Sequence, residues 1–234
     1  MKKLINNRFI AWLLCSFFFL HTSIAVKPVV LKKNEVKIII SDQEDEPVKR
    51  AVTDLSRDFI KVMRTSPAIR NSVTKDKSVQ IIVINEASGA LQIDKTKLKE
   101  LDGFESHRVY ADAAENRIYL HGKDMRGTIY AIYSFSEKVL EVPPLWYFAS
   151  WVPDVRTKIE VPANFDFFQQ SPQVKYRAWF PNDQDLVTPW KKISEANDNS
   201  ILEAMLRSKF NCLELDRSVW YPNTISNYTK KVRD

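Results

Sequence analysis

Glycine is scarce in this chain: four in 234 residues, all between Gly89 and Gly127. The last 107 residues have none, so tight turns there must rely on Asn, Asp and Pro. Cysteine is scarcer still, with only Cys15 and Cys212. Cys15 lies in an N-terminal segment expected to be removed, which excludes an intrachain disulfide. Cys212 then reads as a small buried residue in a strand rather than a nucleophile. Beyond the N-terminus no apolar run is long enough to cross a bilayer. A strong charge excess is missing too. The formal net charge is +6, and Lys2, Lys3 and Arg8 supply three of the 35 basic residues. Without them 32 basic residues face 29 acidic ones, close to +3, which gives little reason to expect nucleic acid as a partner.

What is present begins with an address. Residues 1–25 combine a basic start, an apolar stretch from Phe9 to Leu20 and the small-x-small site Ser23-Ile24-Ala25, the pattern of a signal peptide cleaved after Ala25. A secreted or periplasmic protein is expected, free of the membrane after cleavage.

Residues 26–168 read as a small N-terminal α/β domain with a mixed sheet. Val36–Ile40 and Val79–Ile84 are short buried-type strands. Between them Val48, Ala51, Val52, Leu55, Phe59, Val62 and Met63 line one face of a helix that opens at Pro47. The acidic cluster Asp42, Glu44, Asp45 and Glu46 precedes that helix and suits its dipole, so it is not read as a metal site. A short helix is expected from Lys95. Arg108–Tyr110 and Arg117–Leu120 flank a turn, and Lys158–Val161 is a last strand. From Pro162 to Val174 the pattern dissolves into a linker whose phenylalanines are expected to pin it to the domain.

The stretch from Arg117 to Pro144 organises this half. A strand turns at Gly122, Asp124 stands where an N-cap is wanted, and an apolar-faced helix runs on until Pro143 and Pro144. Gly122 and Gly127 have the spacing of a phosphate loop, but Thr128 and Ile129 replace its Lys-Ser/Thr. A tight turn with close packing is the better reading.

Gly122, Asp124, Arg126, Gly127, Thr128, Ile129, Tyr130, Ile132, Tyr133, Ser136 and Glu137 stand at fixed spacing, followed by Trp146-Tyr147-Phe148 and Val152-Pro153. This segment resembles glycoside hydrolase family 115, the xylan α-glucuronidases, with Ala131 in place of a glycine.

Residues 169–234 read as the start of a second unit. A strand from Lys175 to Phe180, a helix marked by Ile201, Leu202, Met205, Leu206 and Phe210, and a strand Cys212–Leu215 make one βαβ unit. Repeated, it would give a (β/α)8 barrel, but about 200–250 residues are needed for one. The expected fold is therefore α/β: the small mixed-sheet domain followed by the first βαβ unit of a truncated barrel. Barrel enzymes gather catalytic groups where strands end, which singles out Asn182, Asp183, Asp185, Asp216 and Arg217. On the residues alone, Asp183 and Asp185 could equally cap a turn or the next helix.

Lys175, Tyr176, Arg177, Phe180, Asn182 and Asp183 also match a family 115 segment, its first barrel strand and active-site loop. By that resemblance Asp183 lies in the active-site pocket as the catalytic acid; Asn182, Asp185, Asp216 and Arg217, singled out by the strand-end rule, are candidates for substrate binding. The resemblance implies hydrolysis with inversion of glucuronic acid side chains of a glucuronoxylan-like polysaccharide, without an organic cofactor or metal. Gln184 replaces the family's Glu, and Leu213-Glu214-Leu215-Asp216 stands where Leu-Trp-Pro is usual. Three alternatives stay open. One is a non-catalytic glycan-binding module using Trp146, Tyr147 and Trp151. Another is an inactive fragment. The third, more distant, is a β-hexosaminidase-like enzyme.

Overall fold

The computed structural model describes residues 27–179 and 195–213. The chain opens with strands β1 (Val29–Lys32) and β2 (Val36–Ile39), followed by helix α1 (Glu46–Met63). Strands β3 (Ala68–Arg70), β4 (Val79–Asn85), β5 (His107–Asp112) and β6 (Arg117–Gly122) lead to helix α2 (Met125–Lys138). Then come β7 (Lys158–Val161), β8 (Asp166–Gln169), β9 (Ala178–Trp179), α3 (Glu195–Arg207) and β10 (Cys212–Leu213).

Six strands form one mixed sheet in the order β3-β2-β4-β6-β5-β8. β3, β2, β4 and β6 run parallel, while β5 is antiparallel to both β6 and β8. Side chains alternate across a strand, so each buried strand feeds two layers. Ile38, Ile81, Val83, Val109, Ile118 and Leu120 face α1 and α2 in the main core. Their neighbours Ile39, Ile82, Ile84, Tyr110 and Tyr119 form a second core on the other face. That face is covered by loop residues Val73, Leu91, Ile93 and Leu98 rather than by a long helix. The expected helix at Lys95 is a single 3-10 turn, Lys95–Lys97.

The mixed α/β sheet domain expected from the sequence is present, with two corrections. Lys158–Val161 does not join the main sheet. It pairs antiparallel with β1 in a separate ribbon, whose Val29, Leu31, Ile159 and Val161 close the main core. The supposed linker contains β8, which pairs with β5 through Tyr110↔Asp166 and His107↔Gln169. Asp166 also accepts from the Nε and Nη2 of Arg108 at 2.7 and 2.8 Å. Its phenylalanines do pin it: Phe165 and Phe167 pack on the core.

Scarce glycine leaves a trace in the backbone. Asn34, Arg64, Glu105, Asn116, Glu141 and Lys209 all have positive φ without being glycine. Arg64 ends α1 in the left-handed region, its N–H bonded to the Ile60 carbonyl at 3.1 Å. Glycine would take that conformation without its Cβ penalty.

α3 docks on α1 and α2 through buried charge. Arg207 is 1% exposed; its Nη2 donates to Asp58 Oδ2 at 2.5 Å and its Nε to Glu203 Oε1 at 2.8 Å. Burial opposes the charged guanidinium, but Asp58 and Glu203 outweigh it and raise its pKa. The Arg57 guanidinium reaches Glu203 at 2.9 Å and also pairs with Asp54. From α2, Tyr133 donates to Asp54 at 2.7 Å and Ser136 to Asp58 at 2.8 Å. Burial, and then the charge on Glu203, push Asp54 up to about 6 from its ordinary 3.8.

Arg64→Gly is expected to raise stability by about 0.5–1 kcal/mol, read as the urea midpoint. The buried aspartate gives a pH dependence. Asp54 has a raised native pKa, so between its native and unfolded values the folded chain holds a proton the unfolded chain lacks, and stability falls as pH rises through that window. Asp54→Asn keeps an acceptor for Tyr133 without the charge. It should be more stable than the parent by about 1–2 kcal/mol at neutral pH, the gain fading near pH 4. Urea titrations across pH would show it.

Candidate functional site

The residues singled out for chemistry, Asp183 with Asn182, Asp185, Asp216 and Arg217, lie outside the described residues. The structure does describe the two strands that lead to them. β9 and β10 run parallel and adjacent, in register Ala178↔Cys212 and Trp179↔Leu213, with α3 as the connection between them. Two parallel neighbours joined by a helix form a βαβ unit, and their carboxyl ends point the same way. Cys212 is a free thiol in a strand, β10, as expected, but it is half-buried rather than buried.

The strand–turn–helix stretch from Gly122 locks this unit to the first domain. A Cβ on Gly122 would sit 2.0 Å from the Thr128 nitrogen, and one on Gly127 would sit 2.6 Å from the Ser106 carbonyl. Both glycines therefore serve close backbone approach, as the sequence suggested. Asp124 caps α2, one oxygen accepting from Gly127 N–H at 2.8 Å. Its other oxygen accepts from Glu105 N–H at 2.9 Å, which helps hold Glu105 at φ 55°.

Glu105 is the centre of the seam, and no sequence motif marks it. Its side chain is 4% exposed. It forms an ion pair with Arg126 Nε at 3.0 Å and accepts from Asn211 Nδ2 at 3.1 Å and from the Arg177 guanidinium. Arg177 goes on to donate from Nε to the Lys209 carbonyl at 2.9 Å and from Nη1 to that of Val174 at 3.0 Å. Asn211 Oδ1 accepts from Arg177 N–H at 2.8 Å, and Asn211 Nδ2 reaches the Lys175 carbonyl at 2.7 Å. One carboxylate thus fixes the amino ends of both β9 and β10. The only sequence trace was a pair of arginines in the two matched segments with no acid beside either.

A groove of about 800 Å³ runs along this seam, lined by Tyr130, Glu137, Phe167, Arg177, Arg207 and Lys209 among others. Burial holds Lys209 down to about 8, with Glu137 at 3.6 Å pulling the other way. Tyr130 is pushed up to about 12 by burial and by Glu105. Arg177 and Lys209 precede their strands, so the groove opens at the amino ends. Its lining includes Glu105, Arg177 and Lys209, the groups that join β9 and β10 to the first domain.

The aromatic segment also belongs to packing. Trp146 and Trp151 lie against the main core, Lys61 Nζ sits 3.9 Å from the Trp146 ring centroid, and Tyr147 packs edge-on against Trp146. Phe148 meets Trp179 edge-on with centroids 6.0 Å apart, beside Ile201 of α3. Among the described residues no group of three or more His, Cys, Asp or Glu could hold a metal ion, and no helix is long and apolar enough to cross a membrane.

Glu105 is buried but Arg126 and Arg177 stay in touch with solvent, so removing its charge should cost less than breaking a fully buried pair, about 1–3 kcal/mol. Glu105→Gln should lower the urea midpoint accordingly, and brief proteolysis should then cut within 170–213 before it cuts the six-stranded sheet. Unchanged stability and cleavage would remove Glu105 from its central role.

No family model matches the chain, and no curated protein sequence matches it. Solved structures do. A family GH115 4-O-methyl-α-glucuronidase, BtGH115A, with specificity for decorated arabinogalactans, is similar at 23% identity and a TM-score of 0.62, over 79% of this chain. Looser likenesses are the N-acetyl-β-hexosaminidase of Streptomyces plicatus, at 10% identity and TM-score 0.46, and a GH138 enzyme targeting pectin rhamnogalacturonan II, at 13% and 0.44. These two cover 80% and 85% of this chain. The chain spans 25%, 31% and 22% of the three proteins respectively. Its fold is glycoside-hydrolase-like and is shared with the GH115 structure.

Proposed function

We propose that this chain is the N-terminal portion of an exported glycoside hydrolase of the family 115 type, acting on α-linked glucuronic acid side chains of a plant polysaccharide. The observation that carries the reading is the parallel pairing of β9 with β10. Asp183 follows β9 by four residues and Asp216 follows β10 by three. Both acids would therefore leave from the same end of neighbouring strands, the end where barrels keep their chemistry. The shared fold with a GH115 enzyme and the motif matches at Gly122–Glu137 and Lys175–Asp183 agree with this.

In the proposed reaction Asp183 is one of two carboxyl groups flanking the glycosidic bond. One protonates the leaving oxygen as the bond to the anomeric carbon breaks. The other takes a proton from the water that attacks the opposite face, inverting the configuration. Asn182, Asp185, Asp216 and Arg217 are assigned to substrate, with the Arg217 guanidinium suited to the uronic acid carboxylate. The partner carboxyl group falls on later strands. The substrates to try first are glucuronoxylan, from the motif resemblance, and decorated arabinogalactan, from the similar structure.

The test is release of glucuronic or 4-O-methylglucuronic acid from either polymer by the protein extended past Asp234. Asp183→Asn should lower kcat by about 10²–10⁴-fold with stability unchanged, the range for losing a positioned acid or base. An extended, folded protein that releases neither acid, or an Asp183→Asn variant of full activity, would count against the proposal.

A further inference from the structure

The groove along the seam carries a charge imbalance at one end. Around Glu105, the cations Arg126 and Arg177 are matched by Glu105 itself and by Asp124 beside its backbone. On α1 and α3, Arg57, Lys61 and Arg207 meet Asp54, Asp58 and Glu203, three charges of each sign. At Glu137 the count differs. Its carboxylate has Lys138 Nζ at 2.9 Å and Lys209 Nζ at 3.6 Å, two ammonium groups for one acid. His107 also lines the groove but adds no charge at neutral pH, because burial holds it down to about 4. Lys209 Nζ donates to the Arg207 carbonyl at 3.0 Å, a neutral partner that leaves the surplus in place. Burial lowers the Lys209 pKa, and the charges of Lys138 and Arg207 add to this against the pull of Glu137. An ammonium with too little counter-charge in a partly dry place behaves in this way.

The surroundings of this surplus narrow the occupant. One unit of excess positive charge suits a monoanion such as a carboxylate, and a dianion would overshoot it. The volume, about 800 Å³, lies within the range of about 300–1,000 Å³ for ligand clefts and far exceeds what a bare carboxylate fills. Lys209, Glu137 and Lys138 keep 25%, 30% and 42% of their side chains exposed, so the charged end is open to a ligand. Pro143, Pro144, Leu145 and Phe167 supply apolar wall, and the exposed Gln169 and Gln170 supply amides that both donate and accept. Apolar surface for C–H faces, amides for hydroxyls and an ammonium for a carboxylate together meet the needs of an acidic sugar chain. Arg177 and Lys209 precede β9 and β10, whereas Asp183 and Asp216 follow them, so the groove is separate from the proposed reaction centre.

We propose that this groove binds a uronic-acid-bearing oligosaccharide, its carboxylate beside Lys209 and its neutral rings along Leu145 and Phe167. The choice of a saccharide rests on the reading of the chain as a glycan hydrolase; the charge argument does not. The test is titration of the 234-residue chain with xylotriose carrying one glucuronic acid, with plain xylotriose and with inorganic phosphate. Lysines are reductively ¹³C-methylated, and the Lys209 resonance is identified by its loss in Lys209→Met. The acidic saccharide should raise the Lys209 pKa toward its ordinary 10.5, because a neighbouring anion favours the ammonium. Plain xylotriose should bind about tenfold more weakly or worse. Lys209→Met should weaken the acidic saccharide to a similar extent, the equivalent of one lost hydrogen bond to a charged group. Ser208→Glu gives the groove a carboxylate of its own next to Lys209 and should weaken binding likewise, which keeps the test decisive if the first variant does not fold. Four outcomes would overturn the proposal: no shift of the Lys209 resonance; equal affinity for plain xylotriose; phosphate bound as tightly as the acidic saccharide, which makes this an inorganic-anion site; or unchanged affinity in either variant when folded. Release of glucuronic acid by the extended protein is read separately at Asp183, so failure of one test leaves the other reading standing.

Discussion

The buried Glu105 carboxylate and the part-exposed guanidinium groups of Arg126 and Arg177 form a charge cluster on which the arrangement of the two halves rests. Burying a charge is costly unless it is paired and hydrogen-bonded, and here every partner comes from a different segment. Arg126 belongs to α2, Arg177 precedes β9, Asn211 precedes β10, and Asp124 holds the Glu105 backbone from below. The cluster therefore specifies a geometry as much as it supplies energy. Remote from any proposed chemistry, it sets the direction in which β9 and β10 leave the first domain.

The stretch from Gly122 to Glu137 takes on a different meaning in this light. Its variety of residue types at fixed spacing suggests a site. In the structure each type has a mechanical role. Two glycines allow close approach, an aspartate caps the helix and an arginine reaches Glu105, while a tyrosine and a serine reach the buried aspartates of α1. Thr128 ties the helix back to β4 through the Ile84 carbonyl at 3.2 Å. Many residue types at fixed spacing can thus mark a dock, because a dock must satisfy many buried polar groups at once.

Elements with their own periodicity were legible. Every apolar residue assigned to the face of α1 is buried, and β4, buried along its whole length, reads directly as Val-Gln-Ile-Ile-Val-Ile. The helix at Asp124 was marked by its cap. What was missed depends on partners far away in sequence. Asp166–Gln169 has no alternating pattern, and it is a strand because β5 offers an edge to pair with. β1 and β7 find each other across the whole first domain. Glu105 sat in a polar connection, and nothing local told it from a surface acid. The candidate catalytic residues lie outside the described residues, and only the strands before them, β9 and β10, have a structural counterpart.

The pair Asp58–Arg207 joins residues 149 apart in the chain, and that separation gives assembly a direction. During synthesis α1 emerges first with two carboxylates on its inner face, held by Tyr133 and Ser136 once α2 is made. α1 itself already supplies Arg57 and Lys61 as partners for Asp54 and Asp58, so Arg207, arriving last, joins carboxylates that each have a cation beside them.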